Sequence, residues 1–127
     1  MNAELHLIQP LGFSMNNKDL RRAALDYYDV SNVFIHEKFQ DFLKENKSEV
    51  YLTDTKAKNL YSDCKFNIED VFVFGSESKG LDKEILEKFD EKNKVYIPMV
   101  PNVRSINICN SVSIIAYECW RQNGFHI

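Results

Sequence analysis

Short apolar runs alternate with longer amphipathic stretches along this chain, and that rhythm limits the fold more than any single residue does. Leu5 to Ile8, Val33 to Ile35, Val50 to Thr53, Val71 to Phe74 and Val95 to Ile97 have the length and the β-branched or aromatic content of strands. Pro10 and Gly12 stop the first, Gly75 the fourth and Pro98 the fifth. Asn17 to Leu25, with Asn16 or Asn17 as cap, reads as a helix. His36 to Asn46 places Phe39, Phe42 and Leu43 at helical spacing, and Asp82 to Phe89 follows with acids at its start. The strongest helical period runs from Asn107 to Gln122, where Ile108, Val112, Ile115 and Cys119 form one stripe and Gly124 sits where a helix stops. Lys56 to Asp70 is polar and is assigned no element. Val71 to Phe74, apolar on both faces, predicts a central strand. The whole pattern predicts the α/β class, a parallel sheet flanked by helices.

Composition narrows the function. A chain of 127 residues is one domain's worth, read here as a single domain over 1–127. Hydrophobic residues at 44%, with only 4 Gly and 3 Pro, exclude a disordered or linker-type chain. Net charge −3 gives no bulk attraction to a polyanion, so such a partner needs a local patch of cations. No apolar run approaches the roughly 20 residues of a membrane helix, and the amino terminus lacks a signal pattern, which predicts a cytoplasmic protein with no membrane partner. Three cysteines without a Cys-x-x-Cys pair or a Cys/His cluster predict no metal site. Cys109 and Cys119, in the apolar helical pattern, are expected to be buried and inert. His6, His36 and His126 show no metal-ligand or triad spacing.

In open parallel sheets ligands gather beyond the carboxyl ends of the strands. Three segments qualify: Thr53 to Lys56, Gly75 to Gly80, and Pro98 to Ser105. Gly75 lets the backbone turn sharply and approach a ligand, although a plain strand-to-helix turn explains the spacing as well. It is not a Gly-x-Gly-x-x-Gly loop, and no Walker-type lysine follows it. Pro98 and Pro101 stiffen the third segment. Ser105 or Asn107 is either a helix cap or a ligand contact. Arg104, Arg21 and Arg22 are either anion contacts or solvated surface charges.

Phe72-Val73-Phe74-Gly75-Ser76-Glu77-Ser78-Lys79-Gly80-Leu81 resembles the second motif of the SpoU branch of the SPOUT methyltransferases. Ile97-Pro98-Met99, Arg104-Ser105-Ile106-Asn107, Asn110-Ser111-Val112 and Tyr117 to Gln122 resemble its third motif. Leu5 to Phe13 and Arg21 to Tyr27 are similar to the small TrmL-like members that lack an added RNA-binding domain. The resemblance spans Leu5 to Phe125.

It implies an S-adenosylmethionine-dependent enzyme that methylates the ribose 2′-oxygen of the wobble nucleotide, cytidine or uridine 34, in leucine tRNAs. It implies a homodimer and a SPOUT-type domain whose carboxyl-terminal part threads a deep trefoil knot. Thr53, Gly75, Ile97 and Ser105 match the family's cofactor-contacting positions, many of them through backbone groups. Arg21, Arg22, Lys79 and Arg104 are the candidates for holding RNA, which predicts binding that weakens with salt. No catalytic residue is assigned. The chemistry is consistent: a ribose hydroxyl is a poor nucleophile, so such a site must align oxygen, carbon and sulfur and help the proton leave.

The family's first motif, a strand and helix with an Asn-x-Gly-Asn-type turn and an arginine, has no counterpart before Leu5. An amino-terminally truncated domain is therefore expected, with methyl transfer by these 127 residues weak or absent. A second departure is Lys79, where arginine is common; lysine keeps the charge and loses bidentate phosphate binding. The competing readings are an inactive cofactor-binding fragment and an ordinary α/β binding module of the phosphoacceptor receiver kind. The receiver kind wants acids after the first strand, where Gln9 and Pro10 stand.

Overall fold

The computed structural model describes residues 3–11 and 32–126. It divides into two compact units, Met1–Lys47 and Ser48–Ile127. The helix expected over Asn17 to Leu25, and with it Arg21 and Arg22, lies outside the described residues.

In the first unit β1 (Leu5–Ile8) runs parallel to β2 (Val33–His36), with Leu5 opposite Val33 and Ile8 opposite His36. His36 prolongs β2 by this pairing, so α1 begins later than its period predicts and covers Phe39–Glu45. Strand alternation puts His6, Phe34 and His36 on one face. Phe42 of α1 packs on that face, with ring centroids 4.9 Å from His6 and 5.5 Å from His36. Two histidines that are 30 positions apart thereby meet, His6 Nδ1 lying 2.9 Å from His36 Nε2 and His6 Nε2 lying 3.2 Å from Glu4 Oε2. A carboxylate only accepts, so the bond to Glu4 takes Nε2–H of His6, and the His6 Nδ1–His36 Nε2 bond runs from whichever ring nitrogen carries the proton. No sequence spacing announced this pair; parallel register makes it. Among the described residues no group of three potential ligands is suited to a metal ion.

In the second unit β3 (Val50–Thr53), β4 (Asn59–Leu60), β5 (Val71–Val73) and β6 (Lys94–Tyr96) form a parallel sheet in the order β4-β6-β3-β5. The expectation that Val71 to Phe74 is central is corrected here: in this sheet β5 is the end strand. Its two apolar faces have another cause. Phe72 stacks on Tyr51 and meets Phe66 edge-on, while Val71 and Val73 lie beside the buried Val50 and Leu52 on the reverse face. Tyr51 is thus partly buried, and burial, reinforced by the nearby Asp70 and Glu49, pushes its phenol up from the usual value. The short β4 was invisible to periodicity. It is held by Asn59, whose Nδ2 donates to the backbone oxygens of Lys94 (3.0 Å) and Glu91 (2.6 Å).

Two helices accompany this sheet, α2 (Lys83–Glu87) and α3 (Ile108–Gln122). α3 seats Ile115 and Cys119 in a core with Phe66 and Val95, and Ile115 and Val95 are fully buried. Each fully buried aliphatic side chain of this kind contributes about 1.5–3 kcal/mol. The predicted stripe is only partly buried, since Val112 is 39% exposed. Cys109, expected to be buried, is exposed: it lies in the first turn, off the Ile115 and Cys119 face. Asn107 caps the helix, its Oδ1 accepting from Cys109 N at 2.9 Å. The other end closes with Gly124 in the left-handed region (φ 68°) and with Phe125 N–H donating to Trp120 O at 3.0 Å. Only a residue tolerant of positive φ ends a helix this way. No helix among the described residues is long and apolar enough to cross a membrane.

Candidate functional site

β6, β3 and β5 are adjacent and parallel, so the chain leaves all three at the same edge of the sheet. The segments starting at Ile97, at Thr53 and at Phe74-Gly75 therefore stand side by side, as the strand-end argument predicts. Thr53 is the central of the three. Its Oγ1 donates to Val73 O of β5 at 2.9 Å, and the N–H of Asp54 donates to Val95 O of β6 at 3.0 Å. The end of β3 is stitched to both neighbours.

The segment after β5 folds into a closed loop. Ser76 N–H donates to Gly80 O at 3.2 Å, Gly80 N–H to Ser76 O at 2.9 Å and Lys79 N–H to Ser76 Oγ at 3.3 Å. The loop closes against Gly75 so tightly that a Cβ there would lie inside the backbone of Gly80 and Leu81. Glycine at 75 is thus required by the loop's own closure, a reason that spacing alone could not separate from approach to a ligand.

The segment after β6 is built in the opposite way. Apart from the turn at 101–102, no backbone group from Pro98 to Ile106 makes a well-formed hydrogen bond to another described residue. Pro98 and Pro101 fix two φ angles, and Asn102 takes the positive φ (65°) that a turn following Pro101 demands. The loop is stiff, yet its amides and carbonyls are open to a ligand. Val100 and Val103 are 73% and 57% exposed, so the chain is not folded inward on apolar contacts.

Asn107 joins the second and third segments. While its Oδ1 caps α3, its Nδ2 donates to Glu77 Oε1 at 3.1 Å. The sequence offered Asn107 as a cap, and it is one. Glu77 was missed. An acid in a loop carries no signal of a partner 30 positions away; only the motif resemblance singled out its neighbourhood.

Of the predicted site residues, Thr53, Gly75 and Ile97 share the edge, and Ser105 lies two positions before the Asn107 that meets Glu77. Thr53, Gly75 and Ile97 are half-buried and Ser105 is exposed. Lys79 and Arg104 are exposed, and among the described residues neither forms an ion pair. Lys56 stands in the turn closed by Ala57 N–H and Asp54 O. The arrangement offers backbone donors and acceptors at the centre and unpaired cations around it, which suits a neutral-to-cationic nucleoside held centrally with a polyanion passing over the rim.

Known proteins share this sequence and this framework. Residues 1–117 match the SpoU rRNA Methylase family. The chain is 40% identical over 122 residues to the tRNA (cytidine(34)-2′-O)-methyltransferase of Escherichia coli strain K12, covering 95% of this chain and 78% of that protein. A solved structure described as giving structural insights into the 2-OH methylation of C/U34 on tRNA superposes with a TM-score of 0.86 at 34% identity, covering 97% of this chain and 80% of that one. An AdoMet-bound rRNA methyltransferase from Sinorhizobium meliloti shares the fold, with a TM-score of 0.70 at 20% identity over 94% of this chain and 46% of that one.

Proposed function

The chain belongs to the SpoU methylase family, and from that premise we propose that it is an S-adenosylmethionine-dependent tRNA methyltransferase acting on the ribose 2′-oxygen of nucleotide 34, cytidine or uridine, of leucine tRNAs. The similarity to the Escherichia coli enzyme and to the C/U34 methylation structure supports the substrate. The match over residues 1–117 supports reading the whole chain as one methyltransferase domain.

One observation carries the cofactor assignment: a stiff loop whose backbone, outside the turn at 101–102, has no well-formed hydrogen bond among the described residues stands beside two well-tied strand ends. Backbone amides and carbonyls recognise an adenine edge and a ribose without placing a cation near a sulfonium. The residues present therefore fit S-adenosylmethionine, with Thr53, Gly75, Ile97 and Ser105 as the positions that hold it. When bound, this cofactor supplies a methyl group already activated by the positive sulfur. The chain's own part is to orient. Thr53 and Asp54 fix the floor of the site, and the loop 97–105 presents its polar groups from one side. The Glu77–Asn107 contact keeps the glycine loop against the start of α3. Lys79 and Arg104, with Arg21 and Arg22, hold RNA phosphates.

The SPOUT-type knot belongs to the same proposal. β6 comes after β4 in sequence yet lies between β3 and β4, which the connection 54–58 joins directly. That connection must cross β6, an arrangement that supports a threaded carboxyl-terminal part. A homodimer is supported by the apolar side chains left exposed on and just beyond α3, Val112 and the Tyr117–Phe125 pair.

Isothermal titration calorimetry with S-adenosylmethionine, followed by transfer of a labelled methyl group to leucine tRNA, tests the proposal. We expect saturable cofactor binding and weak transfer at most, with any label on the ribose of nucleotide 34. Folded protein that takes up no cofactor, or label placed on a base, would refute it.

A further inference from the structure

The carboxyl end of α3 is anchored by side-chain amides rather than by apolar contact alone. Gln122 Oε1 accepts from Phe66 N–H at 2.8 Å, and its Nε2 donates to Cys64 O at 2.9 Å. Asn123 Nδ2 donates to Phe66 O at 3.1 Å, and Cys119 Sγ donates to Asn67 O at 3.3 Å. Four consecutive positions of the segment 64–67 are thus gripped in three places by residues more than 50 positions later. Gln122 is itself held. Its Nε2 also donates to Glu118 Oε1 at 2.8 Å, and both Glu118 oxygens accept from Arg121 at 2.8 Å. These bonds hold the Glu118 carboxyl down at about 2, the Arg121 bonds being the largest cause.

Resting on the methyltransferase reading above, we propose that Gln122 is a positioning residue for the cofactor loop at the far end of the same helix. The reasoning is geometric. Ile115 and Cys119 hold α3 against the sheet, but apolar contact is weakly directional and tolerates sliding. Hydrogen bonds are not so tolerant: N–H···O distances cluster within a few tenths of an ångström, and the interaction weakens steeply off line. A helix advances about 1.5 Å per residue, so a slip of one residue would break the whole amide grip. α3 is 15 residues long and essentially rigid, so its axial position is transmitted to Asn107 and to Ser105 just before it. At that end, among the described residues, the exposed Asn107–Glu77 bond is the one hydrogen bond that ties the helix to the glycine loop. Axial placement of the loop 97–105 is therefore set from the Gln122 end.

The test compares Gln122→Leu, which keeps the bulk and removes all three amide bonds, with the wild-type chain. S-adenosylmethionine affinity is measured by calorimetry at low temperature, where circular dichroism shows both proteins folded, so that loss of global stability does not enter. Amide exchange at Phe66 reports whether the grip has opened. We expect exchange at Phe66 to accelerate and cofactor affinity to fall about tenfold or more, in line with the cost of roughly ångström misplacement in a binding site. With tRNA saturating, the KM for cofactor should rise more than kcat falls. Asn123→Ala, which removes one bond to the 64–67 segment and two to Cys119 within the helix, should show a smaller effect in the same direction and serves if the leucine variant does not fold. An open grip at Phe66 with unchanged cofactor affinity would overturn the proposal. Absence of cofactor binding by the wild-type chain would instead refute the methyltransferase reading on which it rests.

Discussion

The two ends of α3 are built on opposite plans. At its carboxyl end nearly every polar group within reach has a partner: Gln122 and Asn123 bond the backbone of 64–66, Glu118 is locked by Arg121, and Gly124 turns the chain out through paired carbonyls. At its amino end an exposed contact to Glu77 stands next to a loop that, among the described residues, has no well-formed backbone hydrogen bond beyond its turn at 101–102. Unpaired backbone costs free energy when buried and little when solvated. A stiff, solvated loop with few paired backbone groups among the described residues, held by a rigid helix, is the surface that the proposed function gives to the cofactor, and the satisfied end is its foundation. The same contrast separates the glycine loop, closed on itself, from the proline loop, open to a ligand.

Substitutions that strike each end sharpen this contrast. The largest effect is expected from Gly75→Ala, because its Cβ has no room beside Gly80 and Leu81. Calorimetry should show cofactor binding weakened more than in any other of these variants, and residual methyl transfer should fall on the order of 100-fold, the rate cost of about 1 Å of misplacement. Ile115→Ala removes the apolar support of the seated face and should lower unfolding stability by about 2–5 kcal/mol in a denaturant titration. Acid should loosen the carboxyl end first. The folded-state value of the Glu118 carboxyl is depressed from 4.5 to about 2, so the stabilisation it brings is complete above pH 4.5 and is lost as pH falls toward 2. Melting curves across that interval should flatten in Glu118→Gln, and an unchanged pH dependence would show that the carboxylate does not support the seat. Asn107→Ala strikes the open end, where loss of a cap costs about 1 kcal/mol. Its mark should be weaker cofactor binding with a melting temperature lowered by only about 2–8 °C. Smallest is Arg104→Ala: RNA affinity should drop a few-fold, and the slope of log affinity against log salt should become shallower by about 0.7–0.9.

Much of this contrast was legible before any coordinates. Val50 to Thr53 and Val95 to Ile97 declared themselves as strands by length and residue type, and Ile115 and Cys119 declared the buried side of the last helix. The convergence of Thr53, Gly75 and Ile97 followed from parallel topology, and the motif resemblance gave it a chemistry. What stayed hidden was carried by side-chain-to-backbone bonds over long sequence distance. Asn59 creates a strand from polar sequence, Gln122 and Asn123 grip a segment more than 50 positions away, and Glu77 finds Asn107 across two loops. Such bonds have no period and no composition. Strand order also escaped: two apolar faces on Val71 to Phe74 record packing on both sides of the sheet, which an end strand satisfies as well as a central one.

Hydrogen exchange followed residue by residue, with and without the demethylated cofactor S-adenosylhomocysteine, tests the central claim most directly. The account predicts that ligand slows exchange at the amides of 75–80 and 99–106 and leaves Phe66, already bonded to Gln122, unchanged. Slowing centred on 64–67 or on β1, with the proline loop exchanging as fast as before, would contradict it.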